Sequence, residues 1–278
     1  MNYKLILTVL AFLLSTRSFS QPKGTLFIIG GGNRSPRLIK TLLSTAKLSA
    51  KDYIVILPMS SEESDSSYYY IKIQLEKACN NTLVNLNFRR SDSSNTKWLD
   101  SLRHARLIFI TGGDQNRFMN VVLNNPIEWA IKDAFYEGAT VAGTSAGAAL
   151  MSSHMITGDH LLGDTAYANT FEELRNGNII IKEGLGLLSS AIIDQHFVVR
   201  SRYNRMLSAL AKYPNLPCIG IDEGTAIIVH GNKVDVTGES QVILFSNPKN
   251  LRSSPDGHIK FDDVHMRVFT EGDSFELQ

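Results

Sequence analysis

The chain has 278 residues, 43% hydrophobic, 20% charged and 9% aromatic, a globular composition that excludes a disordered or fibrous protein. Lys+Arg number 28 and Asp+Glu 27, a net charge of +1, so no charge excess favours nucleic acid as a partner. The two cysteines exclude a disulfide-rich scaffold and a four-cysteine zinc site.

Residues 1–20 read MNYKLILTVLAFLLSTRSFS. Lys4 precedes an apolar run, Leu5 to Leu14, interrupted only by Thr8, and Ser18 and Ser20 put small residues at the cleavage-determining positions. This is the order of a secretory signal, and the run is shorter than the roughly 20 residues a bilayer span needs. The expectation is a signal peptide over 1–20 and a single domain over 21–278. Loss of Lys4 and Arg17 with the signal shifts the net charge from +1 to −1. The mature protein is expected to be secreted or periplasmic and free of the membrane. Export permits a disulfide between Cys79 and Cys218, with two buried thiols as the equal alternative. Asn80-Asn81-Thr82 matches a glycosylation sequon, which matters only in a eukaryotic secretory pathway.

From Thr25 onward, short apolar runs alternate with helical patterns. Strands are predicted at Thr25–Ile29, Tyr53–Leu57, Leu83–Phe88, Leu107–Thr111 and Thr140–Ala142. Helices are predicted at Pro36–Lys47, Ser66–Ala78, Trp98–His104 and Pro126–Tyr136. Continuous apolar strands alternating with helices indicate an α/β fold, a mostly parallel sheet with helices on both faces. Beyond residue 185 the pattern changes. Ala191–Ile193, Cys218–Ile221, Ala226–Val229, Lys233–Val236 and Val242–Phe245 read as strands, with turn signals at Gly231-Asn232 and Gly238-Glu239. These are expected to be antiparallel additions to the same sheet.

Gly143-Thr144-Ser145-Ala146-Gly147 is the sharpest local feature. G-x-S-x-G between a strand and a helix is the pattern of a nucleophile elbow, which exposes the serine hydroxyl at a strained turn. Ser145 would be the nucleophile, and the N–H of Ala146 would face the oxygen of an attacked carbonyl. A plain glycine-rich turn or a phosphate cradle is the competing reading. Of the seven histidines, His196 stands in Asp194-Gln195-His196-Phe197 at the end of a buried strand, the edge where open α/β sheets bind ligands. It is the candidate base. An orienting acid would come from Asp222 or Glu223, between which spacing does not decide. Thr111-Gly112-Gly113-Asp114-Gln115 ends another strand; its backbone could donate a second hydrogen bond to an oxyanion, and Gln115 could touch substrate. Gly30-Gly31-Gly32-Asn33 follows the first strand, but no G-x-G-x-x-G or metal-ligand cluster accompanies it, so neither nucleotide cofactor nor metal is expected. Arg200, Arg202 and Arg205 follow His196 closely. Guanidinium groups bind carboxylates through paired hydrogen bonds, and a solvated basic helix face is the alternative.

Taken together, TGGDQ at 111–115, GTSAGAA at 143–149, DQHF at 194–197 with the three arginines, and GIDEGTA at 220–226 resemble the serine peptidases of the cyanophycinase and aspartyl-dipeptidase kind. The order of the motifs and the ending VHMRVFTEGDSFEL, 264–277, fit the cyanophycinase branch. The resemblance implies a fold related to class I glutamine amidotransferases. It makes Ser145 the nucleophile, His196 the base and Glu223 the acid, with Gly113 and Ala146 supplying the oxyanion N–H groups. It assigns Gln115, Asp194, Gln195, Arg200, Arg202 and Arg205 to the substrate pocket, with no cofactor. The implied substrate is cyanophycin, poly-aspartate with arginine on each side-chain carboxyl, cut to β-Asp-Arg dipeptides. The arginine cluster would take the free α-carboxylates and Asp194 a substrate guanidinium. Asn33 stands where the family has an acidic residue, and the signal peptide departs from an intracellular storage enzyme. A homodimer is compatible with the sequence.

Three alternatives accompany this reading: an aspartyl or isoaspartyl dipeptidase of the same family, an α/β-hydrolase-type esterase, and a non-catalytic ligand-binding module. In the esterase the acid would precede the histidine, drawing on Asp159, Asp164 or Asp194 with a C-terminal histidine such as His265.

Overall fold

The structure is a computed structural model that describes residues 22–161 and 173–277. The chain opens with β1 (Thr25–Ile29), α1 (Pro36–Ala46), β2 (Tyr53–Leu57), α2 (Ser64–Glu76), β3 (Thr82–Asn85), α3 (Thr96–Arg103), β4 (Leu107–Ile110), α4 (Gln115–Val122), α5 (Pro126–Glu137), β5 (Thr140–Thr144) and the single turn α6 (Ala146–Ala149). There follow β6 (His154–His160), β7 (Ile179–Glu183), β8 (Ile192–Gln195), α7 (Tyr203–Lys212), β9 (Cys218–Ile221), β10 (Thr225–His230), β11 (Lys233–Gly238) and β12 (Val242–Lys249). The last strands are β13 (Arg252–Ser253), β14 (Ile259–Lys260), β15 (Asp263–Phe269) and β16 (Ser274–Glu276).

The main sheet has eight strands in the order β16-β11-β10-β1-β5-β4-β2-β3. Its β1, β5, β4, β2 and β3 run parallel, and β10, β11 and β16 are added antiparallel beyond β1. The central parallel strands carry apolar residues on both faces, β4 at every position, because helices cover the sheet on both sides. In β1, Leu26 and Ile28 enter one core while Phe27 and Ile29 enter the other; in β4, Ile108 and Ile110 alternate in the same way with Leu107 and Phe109. The first face packs against α3, α4 and α5 through Leu102, Phe118 and Ile131, the second against α1 and α2 through Leu42 and Leu75.

Helix boundaries follow local chemistry. Ser35 Oγ accepts from the Leu38 N–H at 3.3 Å and Asn125 Oδ1 from the Ile127 N–H at 2.9 Å, each cap followed by a proline at the first helical position. Asp114 caps α4 in the same way, accepting from the Asn116 N–H at 2.7 Å. That helix lies where the sequence suggested only the end of a strand.

The C-terminal additions divide between two sheets, which corrects the expectation of one. β10 and β11 join the main sheet, whereas β8, β9, β12 and β15 form a four-stranded sheet in the order β15-β12-β9-β8. Here β8 and β9 are parallel, and β12 pairs antiparallel with β9 and β15. One face of this sheet shares the first core through Ile193, Ile219 and Leu244, and the other packs Ile192, Cys218 and Ile243 against Met206 and Leu210 of α7. The α/β class with antiparallel additions in the C-terminal third therefore holds, with a second layer that strand periodicity does not reveal.

Cys79 and Cys218 are both free thiols, the first half-buried and the second buried. Burial pushes the Cys218 thiol well above its usual range, which keeps it protonated and unreactive. Among the described residues no helix is long and apolar enough to cross a membrane. The expected signal peptide lies outside the described residues.

Candidate active site

Ser145, His196 and Glu223 converge beyond the C-terminal ends of β5, β8 and β9. Ser145 is held between β5 and α6 with φ 54° and ψ −113°, a conformation non-glycine residues rarely occupy. Its flanking glycines permit the tight turn: a Cβ at Gly143 would stand 2.1 Å from the Gly147 carbonyl oxygen. The Ser145 Oγ lies 2.8 Å from His196 Nε2, and His196 Nδ1 lies 2.5 Å from Glu223 Oε1. A carboxylate on Nδ1 fixes the tautomer in which Nε2 accepts, so the imidazole can draw a proton from the serine hydroxyl.

The turn after β1 assembles this relay. The Ile29 carbonyl accepts from the Ser145 N–H at 3.1 Å, Gly30 from the His196 N–H at 2.7 Å and Gly31 from the Gly224 N–H at 3.0 Å. Three consecutive carbonyls thus gather three segments that are distant in sequence. The glycines also make room. A Cβ at Gly31 would fall 2.3 Å from His196 Cε1, and one at Gly32 would fall 2.7 Å from Glu223 Cβ. In sequence Gly30–Gly32 is only a weak nucleotide signal; the close approach of these glycines to the histidine and the acid is tertiary and has no local signature.

Asp222 and Glu223, undecided from spacing, have different partners. Asp222 Oδ1 accepts from the Val198 and Val199 N–H groups, both at 3.0 Å, and its Oδ2 from Ser240 Oγ at 2.6 Å. It therefore anchors the turn that follows His196, while Glu223 holds the ring. His196 itself has φ 49°, a strained backbone that this anchoring maintains. Burial lowers the His196 pKa below its ordinary value, opposed by the hydrogen bond His196 donates to Glu223 and reinforced by Arg200, so the neutral base is favoured.

Two cavities meet at Ser145. One, of about 440 Å³, is lined by His196, Gly32, Asn33, Arg34, Glu63 and Tyr70 among others. The other, of about 290 Å³, is lined by Gly113, Asp114, Gln115, Asp159, Gln195 and the three arginines. Gly113 lines this second cavity together with Ser145, and the Ala146 N–H, next in sequence, is the first of α6 and has no acceptor within the helix.

The remaining predicted pocket residues gather here, with a different wiring for several. Asp194 and Arg205, expected to meet different groups of a ligand, meet each other: Arg205 Nε donates to Asp194 Oδ2 at 2.9 Å and its Nη2 pairs with Oδ1. Arg202 Nη1 lies 3.6 Å from Asp194 and donates to the Gln195 carbonyl at 2.7 Å. Asp194, Arg202 and Arg205 are each only 1% exposed. The solvated basic helix face is thereby ruled out for Arg202 and Arg205. Gln115 donates through Nε2 to the Ile156 and Thr157 carbonyls at 2.8 and 2.7 Å, tying α4 to β6. Gln195 is buried in the cavity wall, and Arg200 is half-buried. His265 lines a different cavity, beside Arg267 and Glu276, so the C-terminal histidine of the esterase alternative does not meet Ser145. Asp159 lines the second cavity without joining the relay, and Asp164 falls outside the described residues.

The profile of peptidase family S51 matches residues 26–237, a span containing Ser145, His196, Glu223 and the residues lining both cavities at Ser145. The chain belongs to that family. Its relatives include a cyanophycinase of Trichormus variabilis, 31% identical over 95% of this chain and 89% of the relative, and a cyanophycinase of Geminocystis herdmanii, 32% identical over 80% of this chain and 81% of the relative. A solved peptidase from an acI-B1 actinobacterium superposes with a TM-score of 0.64 at 20% identity, covering 92% of this chain and 98% of that one, which shows a shared fold. As an S51 member the protein is a hydrolase acting on peptide bonds.

Proposed function

We propose that this S51 peptidase is an exported serine peptidase of cyanophycinase type, cleaving arginine-bearing poly-aspartate to β-Asp-Arg dipeptides. The observation that carries the reading is the Ser145–His196–Glu223 relay opening on an arginine-lined cavity. In this mechanism Ser145 Oγ attacks the backbone carbonyl carbon as its proton passes to His196 Nε2. The oxyanion forms against the Gly113 and Ala146 N–H groups. The imidazolium, held by Glu223, then protonates the departing amine as the C–N bond breaks, leaving an acyl-serine. Water, deprotonated by His196, attacks that ester and frees Ser145.

The charge of the second cavity supports the substrate class. Each arginine of the polymer keeps an α-carboxylate and a guanidinium. Arg200 and Arg202 suit the carboxylate, and Asp114 and Asp159, on the same walls, suit the guanidinium. Arg205, committed to Asp194, supports Arg202 rather than touching substrate. Two cyanophycinases at 31% and 32% identity add their weight.

The reading is tested by incubating the purified protein with cyanophycin and with a panel of isoaspartyl dipeptides, identifying products by mass. β-Asp-Arg from the polymer is expected. Cleavage of dipeptides alone would replace the polymer with the dipeptidase alternative, and cleavage of neither would remove both. Export is tested separately: the secreted protein should begin at Gln21, and a chain retaining Met1 would contradict it.

A further inference from the structure

The cavity on the His196 side of Ser145 carries a half-buried cation in its wall. Arg34 follows the glycine turn, is half-buried in the wall, and donates from Nε to Gln74 Oε1 at 2.8 Å. Gln74 is a neutral amide on α2, so it orients the guanidinium without balancing its charge. Among the described residues no carboxylate lies within ion-pairing distance of Arg34. Burial pulls the Arg34 guanidinium below its usual pKa, the mark of a cation that has lost water without gaining an anion. A guanidinium fixed at Nε keeps its terminal nitrogens for a second partner, and two parallel hydrogen bonds to a carboxylate are the arrangement it favours.

Which half of a substrate would reach Arg34 follows from the relay. The histidine that accepts the serine proton returns it to the leaving amine, so the leaving half must sit beside His196. His196 lines the Arg34 cavity; the walls of the Arg200–Arg205 cavity do not include it. The acyl half therefore belongs with the arginine cluster. Glu63 and Tyr70, both exposed, also line the Arg34 side; a carboxylate and an aromatic face suit a guanidinium carried by the same leaving half.

We propose that the Arg34 cavity is the leaving-group subsite and that Arg34 selects leaving halves that carry a free carboxylate. This rests on the peptidase reading above and adds a specificity determinant on the opposite side of the scissile bond. It accounts for Gln74 as the residue that positions Arg34.

The test uses the full-length protein and two synthetic substrates, each a dimer of β-Asp-Arg. They share the acyl half, and in the leaving half the carboxylates are either free or converted to carboxamides. The wild type should prefer the free-carboxylate dimer in kcat/KM by about 10- to 150-fold, the range for a charge-assisted contact. Arg34→Met should collapse that ratio to near one, and Arg34→Lys should retain part of it, since lysine keeps charge without the fork. Circular dichroism of both variants checks folding; if Arg34→Met does not fold, the Lys variant and the wild-type ratio decide. A wild-type ratio near one, or a ratio preserved in Arg34→Met, would overturn the subsite while leaving the peptidase reading intact. Failure of the wild type to cleave either dimer while it still cleaves cyanophycin would overturn the subsite alone, and failure on cyanophycin as well would overturn the cyanophycinase-type reading on which the subsite rests.

Discussion

Individual side chains carry most of the chemistry, and His196 shows how its surroundings set its state. Burial is the dominant influence and lowers its pKa, so the ring is neutral and ready to accept a proton at neutral pH. Cleavage should therefore hold its kcat/KM as pH drops from 7.5 and decline only below the ordinary histidine value of about 6.5. A midpoint above 6.5 would show that the Glu223 contact outweighs burial. The same shift fixes a stability dependence. The unfolded chain binds a proton at His196 more readily than the folded one, so this contribution is present above the unfolded value and is lost as pH falls from there through the lower folded value. Gly31 offers a sharper test. Alanine there would place Cβ 2.3 Å from the His196 ring at a φ of +118°, displacing the base. Displacements near 1 Å cost about 10²-fold in rate, so Gly31→Ala should lose at least that much kcat while Ser145, His196 and Glu223 are all still present.

At the scale of elements, the decisive contacts are those that join segments around the site. Asp194 at the end of β8 and Arg205 on α7 form a nearly dry ion pair, with Arg202 beside it. Removing Arg205 leaves the buried Asp194 with only the longer 3.6 Å contact to Arg202. Arg205→Gln should thus lower stability by about 3–5 kcal/mol in chemical denaturation, where an arginine facing a solvent-filled pocket would change it little. Asp222 acts between β9 and the turn after His196, receiving two backbone N–H groups and the Ser240 hydroxyl. Asp222→Ala should lower both stability and kcat, while Asp222→Asn, which keeps Oδ1, should retain most of each. Loss of stability with kcat intact would show that the turn does not position the base. These elements explain what was legible beforehand. The strand and helix alternation was visible because both faces of a parallel sheet are buried, and α5 because Pro126 stands at its first turn, while the Asn125 and Gly138 caps show only in the folded chain. Pairings between β8 and α7, or the division of late strands between two sheets, leave no periodic trace.

For the whole molecule, the site is a meeting of strand ends. β1 lies between β5 and β10, and its trailing carbonyls bind the turns that bear Ser145, His196 and Glu223. Ser145 was legible because its elbow needs glycines at fixed offsets, and His196 because a polar cluster ends a buried strand. Glu223 was not separable from Asp222: neighbouring residues on one turn face different partners, and only the folded chain shows which. The proposed mechanism runs peptide cleavage through the Ser145 hydroxyl. The most direct measurement is the rate of cyanophycin cleavage by Ser145→Ala against the wild type, with both shown folded by thermal unfolding. Loss of a covalent nucleophile predicts a fall of about 10³-fold or more; a variant that keeps its rate within about tenfold would contradict the account.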